Sequence, residues 1–129
     1  MNLKRMIVLA VTVMLLAVAG PAFAHHGNAA YETDKSVSIT GTVTEFSFGN
    51  PHVLITIDAK DQNGNPVKWQ GELTSPNHLS RMGWSRTTLK PGDQITMTGM
   101  PAKSGEPSMW IRKISKGDQP LNLGGGGDN

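Results

Sequence analysis

The stretch "PVKWQGELTSPNHLSRMG", residues 66–83, holds the change of pattern that decides the fold. Its first half alternates. Val67, Trp69 and Leu73 share one side and Lys68, Gln70 and Glu72 the other, which is the period of a half-buried β-strand. Ser75 then precedes Pro76, an N-cap residue followed by proline in the first helical position, and Gly83 after Met82 supplies a stop. A strand therefore runs directly into a short helix, around Pro76 to Met82, that carries His78.

Upstream of this junction the period stays at two. In "HVLITIDAK", Val53, Ile55, Ile57 and Ala59 fall on one face, and Asn63-Gly64 marks a hairpin between this strand and the next. Before it, "SVSITGTV" places Val37, Ile39 and Val43 on one side, whereas Phe46 and Phe48 in "TEFSF" have the opposite parity. A bulge or bend near Thr44-Glu45 would turn both sets inward. "GNPH" ends that strand, since Asn-Pro favours a turn and proline cannot donate to a ladder.

Downstream, Pro91-Gly92 in "LKPGD" predicts a type II turn with glycine at positive φ. The strands "QITMTGM" and "SMWIRKI" follow. Three strands, a short helix and two strands make an all-β chain whose order matches a five-stranded OB-like Greek-key barrel with the helix between strands 3 and 4. A small antiparallel sandwich or open barrel is the nearest alternative. The closing "LNLGGGGDN" reads as a flexible, glycine-rich tail.

The first 24 residues stand apart. Lys4 and Arg5 form a charged region, Met6 to Ala19 an apolar run, and Ala22 and Ala24 a small-residue cleavage site, the arrangement of a signal peptide. The apolar run has 14 residues, short of the ~20 that span a bilayer. Cleavage after Ala24 is expected to leave a periplasmic protein without a stable membrane anchor. The expected organisation is a signal peptide (1–24), an N-terminal arm (25–35), a barrel domain (36–117) and a tail (118–129). Losing Lys4 and Arg5 reduces twelve basic residues to ten, against ten acidic ones. The mature chain then lacks the positive field of nonspecific nucleic-acid binders, so no nucleic-acid partner is expected. With no cysteine present, disulfides, thiolate metal sites and thiol catalysis are excluded.

Several stretches together resemble a family of small exported bacterial proteins of unknown function, DUF family 6152: "HHGNAAYE" at the expected mature start, "ITGTVTEFSFGNPHVLITI", "GELTSPNHLSRMGW" and "TLKPGDQITMTGMPAKSG". The resemblance implies export and a small β-barrel and carries no activity with it. It draws attention to His25, His26, Asn50, Pro51, His52, Pro76 and Trp84, which fall within those stretches, without giving them roles.

Cleavage after Ala24 would give His25 a free α-amino group beside its imidazole, and both lose protons near neutral pH at small cost. Such a nitrogen pair favours copper. The candidate metal ligands are His25, His26, His52 and His78, with His52 or His78 completing a three-nitrogen Cu(II) set, and copper is the candidate cofactor. The plainer reading makes the histidine pair a solvated chain end, His52 a turn residue held by Asn50 and His78 part of the helix start. Phe46, Phe48 and Trp69 coincide with apolar faces and read as core. Trp84 and Trp110 read as exposed, the latter on a face with Arg112 and Ile114. Arg81, Trp84, Arg86 and Trp110 thus form the alternative site, an edge for an anionic or glycan ligand or a periplasmic partner protein. Met82, Met97, Met100 and Met109 read as core filling. Glu72 is accounted for by a salt bridge to Lys68 on a solvated face. No nucleophile-and-base set or nucleotide loop is present. The expected protein is therefore a non-enzymatic Cu(II) binder, with a metal-free binding module as the alternative and a copper-dependent oxidative enzyme behind both.

Overall fold

The computed structural model describes Asn2 and residues 29–125. Apart from Asn2, the expected signal peptide lies outside the described residues, as do His25 and His26.

The strands β1 (Val37–Ser47), β2 (Leu54–Lys60) and β3 (Pro66–Glu72) form a meander, followed by the helix α1 (Pro76–Arg81), β4 (Gln94–Pro101), β5 (Ser108–Lys116) and a two-residue β6 (Gln119–Pro120). The sheet order is β3-β2-β1-β4-β5-β6, and a further pairing of β3 with β5 closes the first five strands on themselves. Every ladder is antiparallel except β3 with β5, where Gln70, Gly71 and Glu72 run parallel to Ser108, Met109 and Trp110. This is the five-stranded Greek-key barrel of the OB fold, with its helix between strands 3 and 4.

Alternation fills the barrel. Val53, Ile55, Ile57, Leu73, Ile95, Met97 and Met109 are buried inside it, and Leu79 from α1 joins them. In β1, Val43 pairs with Ile57 and Glu45 with Thr56, so Thr44 is left out and parity reverses there. Phe46, in the second half of the strand, and Phe48, just beyond its end, consequently pack on the core. Ser75 caps α1 by accepting from the His78 backbone N–H at 3.3 Å. Gly92 (φ 96°) occupies the positive-φ corner of the Lys90–Asp93 turn.

Three expectations need correction. The Trp110 face does not include Ile114: Gly99 pairs with Ile111 and Thr98 with Lys113, so Arg112 bulges out of β5. Ile111 and Ile114 are therefore both buried. Trp84 is not an exposed edge but a core residue, only 5 % exposed. The third concerns the tail. Leu121 donates its backbone N–H to Ile114 at 2.9 Å, continuing the β5–β6 pairing, and Leu121 and Leu123 pack on the core. An apolar side chain at every second position gives this segment burial that Gly124 and Gly125 lack.

Candidate functional site

Glu72 is the centre of the most chemically loaded cluster among the described residues. Its Oε1 lies 2.5 Å from His52 Nδ1, and its Oε2 accepts from the Tyr31 hydroxyl at 2.5 Å. Trp110 closes the group, edge-on to His52 and tilted against Tyr31 with ring centroids 6.2 Å apart.

Four separate segments meet here. His52 follows the Asn-Pro turn at the foot of β2, where Val53 is buried and fixes the direction of the neighbouring residue. Glu72 ends β3. Trp110 stands opposite Glu72 in the parallel β3–β5 register. Tyr31 arrives from the N-terminal arm, which is laid along the β4–β5 connection by backbone bonds from Glu32 N–H to Pro101 O and from Lys103 N–H to Ala30 O, both 2.9 Å.

The electrostatics follow from that enclosure. Side chains of His52 and Glu72 are 26 % and 23 % exposed, so the pair is partly desolvated but still open to solvent. Burial, together with the adjacent Glu72 carboxylate, pushes the Tyr31 phenol well above its ordinary pKa. The phenol therefore stays protonated and donates. A carboxylate can only accept, so His52 Nδ1 carries a proton toward it. That leaves the lone pair of neutral His52 on Nε2, the tautomer that a carboxylate partner imposes on metal-ligating histidines.

The expected Lys68–Glu72 salt bridge does not form. Lys68 reaches across the β2–β3 ladder to Asp58 at 2.8 Å, its register partner, because directly opposed side chains are closer than positions i and i+4 of one strand. Counting back from the Asn63-Gly64 turn would have found this pair. Nothing local signals Tyr31 or Trp110.

His78 belongs to another neighbourhood. Its Nε2 lies 3.4 Å from the carbonyl oxygen of Leu123, on the seated C-terminal segment. No group of three or more histidine, aspartate, glutamate or cysteine side chains able to hold a metal occurs among the described residues. The alternative edge is divided, with Trp84 and Arg86 lining one groove and Trp110 elsewhere. Arg81 and Arg86 are exposed, Trp84 is buried with its Nε1–H donated to Asn122 O at 2.7 Å, and Trp110 sits with His52.

Comparison with solved structures finds a mitochondrial single-stranded DNA binding protein from S. cerevisiae, 14 % identical, with a TM-score of 0.48 over 70 % of this chain and 96 % of that one. No curated protein matches the chain. A family model does, over residues 11–109, which takes in the arm, β1 to β4, α1 and the start of β5. The chain belongs to DUF6152, a family of unknown function.

Proposed function

We propose that this is an exported, non-enzymatic Cu(II)-binding protein in which His52 Nε2 joins nitrogen donors from a mature N-terminus beginning at His25. The observation that carries this reading is the 2.5 Å contact between His52 Nδ1 and Glu72 Oε1. It orients the ring and directs its basic nitrogen away from the carboxylate.

Chain length adds support. Tyr31 and His52 bind the two oxygens of one carboxylate. His25 lies six residues before Tyr31, and a segment of that length spans at most about 20 Å. Such an arm can reach His52 without any movement of the barrel. The amine and imidazole of His25, His26 beside it, and His52 Nε2 would form the nitrogen-rich set that the Irving–Williams order ties most strongly to copper. His78 is less suited to this role, since its Nε2 already faces the Leu123 carbonyl. Export would matter to the chemistry, because only a cut after Ala24 creates the free amine.

The test is to purify the secreted protein, establish its first residue by intact mass, and titrate Cu(II) under electron paramagnetic resonance. Wild type should show a saturable one-site signal with nitrogen hyperfine structure. His25→Ala and His52→Ala should each change it, and His78→Ala should not. A mature chain starting elsewhere, or a signal indifferent to His52, ends the proposal.

A further inference from the structure

A groove of about 460 Å³ opens between the turn after β1 and the segment from α1 to Arg86, on residues that the copper reading does not use. Phe48 and Trp84 supply its aromatic surface, Asn50 and Asn77 its amides, Ser80 a hydroxyl and Arg86 a guanidinium. Its size falls within the range of small-molecule sites.

The charge is one-sided. No acidic side chain among the described residues lines the groove, and Arg86 forms no salt bridge among them. An exposed guanidinium with no carboxylate partner presents a planar fork of donors that fits a carboxylate in bidentate fashion. The amides of Asn50 and Asn77 add neutral donors that can orient a ligand without adding charge.

The apolar wall is already fixed. Trp84 packs against Phe46 with centroids 6.2 Å apart, and Phe46 against Phe48 at 5.9 Å. The indole N–H of Trp84 is donated to Asn122 O, which ties down the far side of the ring. A ligand would therefore meet a rigid surface and spend little free energy ordering it.

We infer that this groove binds a small organic monocarboxylate with a flat apolar body, its carboxylate on Arg86 and its body against Phe48 and the edge of Trp84. One guanidinium matches one negative charge. A phosphate dianion would meet a single cation and leave the aromatic wall unused.

Metal-free protein is enough for the test, so its result is separate from the fate of the copper reading. A ¹⁵N-labelled sample is titrated with benzoate as the probe, with benzamide as its neutral counterpart and with inorganic phosphate. Benzoate should shift the Trp84 indole N–H and the Asn77 side-chain amide saturably. Affinity should fall at least tenfold for benzamide and for benzoate with Arg86→Gln, a surface change that leaves the remaining spectrum in place. Phosphate should move neither signal. Non-saturating shifts, equal responses to benzoate and benzamide, a phosphate response matching that of benzoate, or unchanged binding in Arg86→Gln would each overturn the assignment.

Discussion

The rings of His52 and Trp110 stand edge to face at 86°, with centroids 5.5 Å apart. A paramagnetic ion on His52 would sit beside this indole. Cu(II) should therefore quench tryptophan emission saturably at one equivalent, with most of the quench lost in Trp110→Phe or His52→Ala. Steady-state fluorescence on the three proteins checks this, and an undiminished quench in Trp110→Phe would count against copper at His52.

Glu72 acts on the metal only through His52 in the proposed arrangement. Glu72→Gln should keep the shape of the copper signal while weakening affinity roughly 10- to 100-fold, the usual cost of losing a carboxylate behind a ligating histidine. Competition with a chelator of known affinity measures this. A changed set of nitrogen couplings would show instead that Glu72 itself reaches the metal.

Asp93 provides a pH signature in the fold. Its Oδ2 accepts from the Lys90 backbone N–H at 2.9 Å and from Lys116 Nζ at 3.0 Å, and these hold its pKa below the ordinary carboxylate value, the backbone bond contributing most. A depressed folded value means stability that is present above the unfolded pKa of about 3.9 and is lost as pH falls through the folded one. Asp93→Asn should therefore melt at a lower temperature than wild type at pH 7, and the gap should close as the pH is lowered below 4. Melting curves across that range give the sign directly.

At Gly99, an added methyl group would overlap the carbonyl oxygen of Trp110 on the neighbouring strand, a backbone atom with no freedom to withdraw. Gly99→Ala should cost about 3 kcal/mol or more, the upper range for overpacking. Chemical denaturation reads the loss.

The C-terminal segment can be tested in the same way. Trp84→Phe removes the indole N–H that bonds to Asn122 and should cost about 1 kcal/mol. Deleting residues 119–129 removes Leu121 and Leu123 as well and should cost more. Equal melting temperatures for wild type and truncation would show that the segment is a bystander.

The barrel was readable from local signals because each acts over a few residues. Alternation in Val53, Ile55, Ile57 and Ala59, the parity break at Thr44, the Ser75-Pro76 cap and the Pro91-Gly92 corner all express short-range stereochemistry. The bulge at Arg112 carries no comparable mark, so alternation alone puts Trp110 and Ile114 on the same face. Trp84 follows the helix in irregular chain, where no period reports burial. The Glu72 cluster was hidden for a different reason. The β2–β3 hairpin brings Glu72 to His52, but Tyr31 and Trp110 lie 79 positions apart and reach the pair only through docking of the arm and closure of the barrel. His52 could be singled out by its chemistry, but its partners could not.

The parallel seam of β3 with β5 is only three residue pairs long, and its last pair is Glu72 with Trp110. The same step that turns an open sheet into a closed barrel thus brings the sheltering indole to His52 and Glu72, which the β2–β3 hairpin already holds side by side. A partly zipped chain can hold its hairpins, and with them the His52–Glu72 pair, and still lack the indole. Loosening of that short seam would draw Trp110 away from His52 while the β2–β3 hairpin stayed paired, so the contact between the two rings serves as a built-in gauge of whether the barrel is shut.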